Sequence, residues 1–320
     1  MKTTTRVFTQ GDLIRWSGVL VVVVLDGVWL AASGRSITGT SLAPKLASVL
    51  LLAGISIALA LIAGLPTITA TPRGMHYRRF ALVAQSGALI VTFTCAMSVL
   101  SYLLVSIAPP IVDTQLAAID AQLGFDWPHL YIWVHTRPTL HLVLQLTYYS
   151  ALLQLGLIPM LAGLLGRSDH LREFVANLML SCALLLVIST PWPAAGAFVF
   201  YGIASPSDLA MVSHFGALRD GTMRVIDLAQ MQGLVSLPSY HTAMALFFVQ
   251  AMRWTRTGLV LSGLLNALMI LATPTEGGHY LVDVIAGVAL WAVTIGALRL
   301  TVLRKRVPAA PKLSVQTLFR

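Results

Sequence analysis

Charge is what this sequence most lacks. Of 320 residues only 10% are Asp, Glu, Lys or Arg, 57% are hydrophobic, and the mean hydropathy is +0.81. That balance excludes a soluble globular chain. No hydrophilic stretch is long enough for a separate soluble domain, although length alone would allow about two domains. Cysteine is down to two residues, Cys95 and Cys182, both inside apolar runs. A disulfide framework or a zinc cluster needs more of them at ligand spacing, so free, buried thiols are expected. No solenoid or inverted sequence repeat is visible either.

Apolar runs are what is there. A span takes about 20 mostly apolar residues to cross a hydrocarbon core of ~30 Å. Eight runs qualify, at 13–32, 42–64, 80–107, 139–165, 172–193, 239–254, 258–273 and 280–303, the sixth and seventh being short. The expected fold is therefore an all-α polytopic membrane protein of about eight transmembrane helices.

The net charge is +9, and its placement decides its meaning. With eight spans the termini share a side, and 16 of the 21 basic residues fall there, from Lys2 and Arg6 to Lys312 and Arg320. The other side holds Arg35, Lys45, Arg137, Arg219 and Arg224. The positive-inside rule puts both termini in the cytoplasm, so the basic excess is topology and no nucleic-acid partner is implied. Arg304, Lys305 and Arg306 suit anionic headgroups at the inner surface. Lys2 and Arg6 ahead of an apolar run also fit a signal peptide. Arg15 and Asp26 interrupt that pattern, and cleavage would leave an odd number of spans, so the first span is expected to be kept. The expected location is a membrane, read as a bacterial inner membrane, with the opposite side periplasmic or extracellular.

Some polar residues stand out against this background. Asp26 lies deep in the first span, where a carboxylate is costly; it is either functional or paired with a neighbouring helix. Between spans three and four, Leu116, Ile119 and Leu123 recur at helical spacing, with Trp127, Tyr131 and Trp133 following. That segment is expected to lie flat on the outer surface, as an interfacial anchor or as a lid beside a lipid entrance. The loop at about 194–238 carries Asp208, His214, Arg219, Asp220, Arg224 and Asp227, more ionisable groups than a connector needs.

Two stretches on the outer side carry recognisable chemistry. In GGHYLVD, His279 and Asp283 are four residues apart, hence on one helix face. A carboxylate there fixes the imidazole tautomer and leaves the other nitrogen free as a nucleophile. Gly277 and Gly278 leave the backbone open to close approach by a substrate. In SLPSYH, Pro238 suits a first helical turn and Ser239 a cap. The N–H groups of Ser239, Tyr240 and His241 would face an anion at the helix start, and His241 could protonate a departing oxygen. An anion hole, an acid and a carboxylate-backed nucleophile describe phosphoryl transfer through a phosphohistidine. That scheme requires no metal and no cofactor.

PSYH followed by GGHYLVDVIAG resembles the last two signatures of the type 2 phosphatidic acid phosphatase superfamily, integral-membrane lipid phosphatases and phosphotransferases. The family patterns are Lys-x6-Arg-Pro, Pro-Ser-Gly-His and Ser-Arg-x5-His-x3-Asp. The resemblance implies that His279 is the nucleophile, Asp283 its orienting carboxylate, and His241 the acid and later the base. It also implies a six-helix catalytic core over 76–305, with two additional helices in 1–75 and a basic cytoplasmic tail at 306–320.

The chain departs from these patterns in three places. Tyr240 replaces the glycine of Pro-Ser-Gly-His, Ala272 and Thr273 stand where Ser-Arg is expected, and the first signature is missing. Arg137-Pro138 imitates its end, but Leu130 stands where the lysine should be. Arg219 and Arg224 are the nearest candidates to meet the phosphate, with Ser239, Tyr240 and Gly278 completing the substrate contacts. Similarly reduced signatures occur in a subgroup similar to inositol phosphorylceramide synthase and, more distantly, sphingomyelin synthase. AIDAQLGFDWP and LTYYSALLQ look like that subgroup too. The resemblance therefore implies a phospholipid or lipid phosphate substrate and either a lipid alcohol acceptor or water, making the enzyme a transferase or a phosphatase. Two other readings stay open: a transporter with a proton relay, which needs ionisable groups spread through the depth of several spans, and a non-catalytic lipid-binding module.

Overall fold

The structure is a computed structural model that describes residues 7–306; Lys2, Arg6, Lys312, Arg320 and the rest of the expected basic tail lie outside the described residues, as do the side chains of Arg304, Lys305 and Arg306. The chain is helical almost throughout. It runs α1 (Gln10–Ser33), β1 (Ser36–Ile37), α2 (Gly39–Gly64), α3 (Pro66–Thr69) and α4 (Pro72–Val105). Then come α5 (Asp113–Gln122), α6 (Trp127–His135), α7 (Pro138–Leu164), α8 (Ser168–Ser189), α9 (Ala197–Tyr201), α10 (Pro206–Ala210) and α11 (His214–Arg219). The last elements are β2 (Val225–Ile226), α12 (Tyr240–Ala251), α13 (Arg256–Glu276) and α14 (Leu281–Arg306).

Among the described residues seven helices are long and apolar enough to cross a membrane: α1, α2, α4, α7, α8, α13 and α14. The expected sixth span is the exception, because α12 has only 12 residues. At 1.5 Å per residue it covers about 18 Å, short of the ~30 Å core. Residues 236–239 enter without helical structure, Ser239 caps the helix, and a turn at 252–255 ends it. Non-helical backbone at membrane depth is tolerated where protein covers it or where it lines a cavity. Here α12 is packed among α7, α8, α13 and α14. Its Phe247 and Phe248 are buried with Phe174, Met269 and Leu290 in the main apolar core.

Contacts at the helix ends show which connections share a side. At one end β1, between α1 and α2, pairs in parallel with β2 of the 190–239 segment. At that same end Trp127 Nε1 donates to the Pro274 carbonyl (3.0 Å), and the Leu281 N–H donates to Asp120 (2.7 Å). At the opposite end Arg79 of α4 reaches the Leu164 carbonyl of α7, and Arg253 beyond α12 pairs with Glu173 of α8. Helix α12 therefore does connect the two ends, short as it is. Helices α1 and α2 pack on α4 from outside, α2 through a hydrogen bond from Ser56 to the Ala81 carbonyl (2.9 Å). Asp26 of α1 is buried, and its Oδ1 has no hydrogen-bond partner among the described residues. Cys95 and Cys182 are free thiols.

The segment expected to lie flat as an anchor forms α5 and α6, and one face of each turns inward. Trp127 and Tyr131 are buried against Phe198, and only Trp133 keeps an exposed ring. Of the three helically spaced aliphatics Leu116 alone is buried, while Ile119 and Leu123 face outward. Interfacial aromatics and aromatics packed beneath a loop have the same composition, so the sequence could not separate them.

Candidate active site

His279 and Asp283 meet, but not on one helix face as expected, because His279 lies in the non-helical segment just before α14. Asp283, in the first turn of α14, is fully buried, and its Oδ2 lies 3.3 Å from His279 Nδ1. The same oxygen accepts from the Ser236 hydroxyl (2.6 Å) and the Tyr280 N–H (3.0 Å). A carboxylate only accepts, so this contact places the His279 proton on Nδ1 and leaves the Nε2 lone pair outward. Asp283 also joins the two halves of the site, because its carbonyl accepts from the Ser239 N–H (2.9 Å).

The segment before α14 is held from below by α5. Asp120 accepts from the N–H groups of Leu281 (2.7 Å) and Val282 (2.9 Å), capping α14 with a negative charge where the helix dipole favours one. Asp113 accepts from Ala195 and Gly196 N–H (2.9 Å each) and from the Tyr280 hydroxyl (2.9 Å). Burial, and then the Asp113 charge, push the Tyr280 phenol far above its ordinary value, so it stays a donor. Helix α5 is thus a brace beneath the segment that carries His279.

Gly278 has φ +65°, and its carbonyl accepts from the Ala197 N–H (2.7 Å). A Cβ at this position would sit 2.6 Å from the Phe198 ring. Gly278→Ala is therefore expected to cost about 1–3 kcal/mol through left-handed strain and overpacking. Thermal unfolding in detergent checks this, and a companion Phe198→Ala substitution should recover the packing part only.

His241, in the first turn of α12, stacks on Tyr148 of α7 with ring centres 4.1 Å apart, and its Nδ1 is 3.1 Å from the Tyr148 hydroxyl. When the phenol donates to Nδ1, Nε2 carries the imidazole proton. Both histidines line one cavity of about 480 Å³. Gly277, Gly278, Ser236, Tyr148 and Glu276 surround its polar end, while Phe93, Met97, Leu155, Leu178 and Leu185 form an apolar wall.

The remaining expected residues fall differently. Ser239 caps α12, accepting from the Thr242 N–H (3.4 Å), and is fully buried outside the cavity lining. Pro238 precedes this cap and is not part of the first helical turn. Because the Ser239 N–H is spent on Asp283, the free donors at the start of α12 are the Tyr240 and His241 N–H groups, which have no partner among the described residues. The N–H groups of Gly278 and His279 are likewise unpartnered there, at a left-handed turn of the kind that forms anion-binding nests. The Tyr240 ring lines the cavity, but its hydroxyl bonds to the Leu178 carbonyl (3.1 Å) and Ser181 (3.3 Å) of α8. It neither donates to the polar end nor stands free.

Arg219 and Arg224 lie away from the cavity. Arg219 donates to the Pro109 carbonyl (2.6 Å) and covers the Phe215 ring, and Arg224 reaches the Ser33 carbonyl at the end of α1 (3.4 Å). Loop position in the sequence does not fix which way a long side chain turns, and backbone carbonyls without partners captured both. Among the described residues no Lys or Arg lines the cavity. Sequence reading passed over Tyr148, Asp113, Asp120, Ser236 and Glu276. Only Glu276, an acid directly before Gly-Gly-His at the end of an apolar run, carried a signal strong enough to find it.

A helical bundle of membrane-spanning length, with a carboxylate-backed histidine and a second histidine lining one cavity that has an aliphatic wall, defines the class, an integral membrane protein with a candidate lipid site. The model of the PAP2 superfamily matches residues 114–297, more than half of the chain, and the protein belongs to that superfamily. Its members are phosphatases and phosphotransferases that act on lipid phosphates. The match spans α5 into α14 and leaves α1, α2 and α4 outside. No curated protein and no solved structure is significantly similar to the chain.

Proposed function

We propose that the protein transfers a phospho-headgroup between lipids through a phosphohistidine at His279, in the manner of the inositol phosphorylceramide synthase-like enzymes. The observation that carries this reading is the shared cavity: His279, backed by a buried carboxylate, and His241, backed by a phenol, both open into one space with an aliphatic wall. His279 Nε2 attacks phosphorus and forms the P–N bond while the P–O bond to the leaving group breaks. His241, protonated to the imidazolium with Nδ1–H turned to the Tyr148 oxygen, supplies its Nε2 proton to the departing oxygen. Asp283 stabilises the imidazolium that results. His241 then takes the proton of the acceptor hydroxyl, whose oxygen attacks phosphorus and releases His279. With no arginine or lysine among the described residues of the lining, the free N–H groups of Gly278, His279, Tyr240 and His241 orient the phosphate oxygens.

The apolar wall supports a lipid substrate over a soluble phosphate ester. Of the buried acids, Asp113, Asp120, Asp208, Glu276 and Asp283 belong to the segments gathered at one end of the bundle, and only Asp12 and Asp26 of α1 lie elsewhere among the described residues. That favours a reaction site over a relay through the membrane. Water in place of the lipid alcohol would make the enzyme a phosphatase, using the same residues. Purified protein is to be incubated with phosphatidic acid, polyprenyl phosphate and phosphoinositol or phosphocholine lipids, with and without ceramide or diacylglycerol, and the products read by mass spectrometry. Headgroup transfer that requires the acceptor supports the transferase; phosphate release without acceptor identifies the hydrolase. No turnover of any lipid sinks both. Tyr148→Phe is expected to lower kcat about tenfold with KM little changed, since it removes one hydrogen bond that sets the His241 tautomer. Steady-state kinetics on the best substrate checks it.

A further inference from the structure

Glu276 borders the cavity and also faces two histidines from other helices. His135 ends α6, His141 lies in the first turn of α7, and Glu276 ends α13. One ligand atom of each lies within 4.8 Å of the other two. His141 Nε2 is 3.3 Å from Glu276 Oε2, and the two imidazole centres are 4.1 Å apart. Both histidine Nε2 atoms are buried, and neither has a hydrogen-bond partner among the described residues. His135 Nδ1 lies 3.0 Å from the Tyr131 carbonyl, which can only accept. Nδ1 therefore carries the proton, and Nε2 presents its lone pair to Glu276 and His141. That is how metal-binding histidines are oriented, with the second nitrogen donating to a backbone carbonyl. Asp208, 3.7 Å from His135 Nε2, is held in place by the hydroxyls of Tyr131 (2.5 Å) and Ser205 (2.8 Å).

We propose that His135, His141 and Glu276 together bind one divalent transition-metal ion of the zinc class. Two imidazoles and a carboxylate with a fourth position open are a familiar zinc donor set, whereas magnesium and calcium prefer oxygen alone. Ligands about 2.0–2.1 Å from a tetrahedral ion stand about 3.4 Å apart, a separation His141 and Glu276 already show. The side chains of His135 and His141 are 19% and 27% exposed, which leaves a path for the ion and for a water or substrate oxygen as fourth ligand. The ion would clamp α6, α7 and α13 together three residues before His279. It would also set two positive charges beside a cavity without lysine or arginine. The site is independent of the lipid reaction proposed above, although it bears on how that reaction meets the phosphate charge.

The test uses the full chain in detergent, purified without a polyhistidine tag, stripped with a chelator, then given Zn²⁺ or Co²⁺ alone. About one Zn²⁺ per chain is expected to remain through gel filtration, and Co²⁺ should give the visible absorption of a low-symmetry site. His135→Ala and Glu276→Gln should each reduce retained zinc at least tenfold at an unchanged elution volume, while His279→Ala retains it. A wild-type chain that keeps no zinc, or variants that keep as much as wild type, overturn the site. If a variant does not fold, X-ray absorption on the zinc-loaded wild type decides instead. Two imidazole nitrogens with oxygen support the site; sulfur ligation or oxygen alone overturns it. Lipid turnover is measured separately, so zinc retention without turnover upholds the site and counts only against the proposed reaction.

Discussion

His279→Ala is expected to lower turnover of the preferred lipid phosphoester by about 10⁴-fold or more, leaving lipid binding and thermal stability close to wild type. The size follows from the role: removing a covalent nucleophile abolishes the two-step route and leaves only positioning and anion binding. The near-normal stability follows from the placement. His279 projects into a cavity from the segment between α13 and α14, and its side chain's one polar contact among the described residues is with Asp283. Asp283 keeps the Ser236 hydroxyl and the Tyr280 N–H when the imidazole is gone. Parallel assays of product formation, lipid retention and thermal unfolding check all three quantities. Turnover within tenfold of wild type would remove His279 from the reaction.

Asp283→Asn is expected to lower turnover by about 10³–10⁴-fold, the loss seen when a histidine in a catalytic pair is left with the wrong tautomer. The amide keeps the shape but offers a neutral oxygen or an N–H where the carboxylate accepts three bonds. If its N–H₂ turns toward His279, the imidazole proton moves to Nε2 and the nucleophilic lone pair is lost. Because all three contacts are on Oδ2, that same turn also takes the acceptor from the Ser236 hydroxyl and the Tyr280 N–H and costs stability. The opposite turn puts the N–H₂ at the Oδ1 position, unpartnered among the described residues, and leaves a neutral, weaker acceptor to all three. Transient kinetics separates the two effects: the phosphoenzyme should form slowly, while lipid affinity in the folded fraction stays near wild type. A variant with normal phosphoenzyme formation would assign Asp283 to structure alone.

Much of this arrangement was legible in the sequence because its periods are simple. Seven spans follow from apolar length, and the four-residue spacing pairs His279 with Asp283, although His279 sits in the non-helical segment before α14 and only Asp283 is on the helix. The start of α12 was legible in its cap, Ser239, but not in its depth, since a short buried helix and a short span have the same composition. Other elements depended on tertiary choices. Arg219 turned to a carbonyl of the 106–112 loop, and the Tyr240 hydroxyl turned to α8. Asp113 and Asp120 read as polar residues of a surface helix, yet both are buried acceptors for backbone groups 82 to 162 residues away. Only packing brings His135 and His141 to Glu276, because the three come from the ends of different helices.

The central claim is that the phosphoryl group rests on His279. The most direct measurement is rapid quenching of wild-type protein with a phosphorus-labelled lipid substrate under alkaline conditions, followed by peptide mapping. The account predicts an acid-labile, alkali-stable phosphate on the peptide containing His279, absent in His279→Ala and formed slowly in Asp283→Asn. Label on His241 or on a hydroxyl side chain, or turnover with no labelled protein at any time, would contradict it.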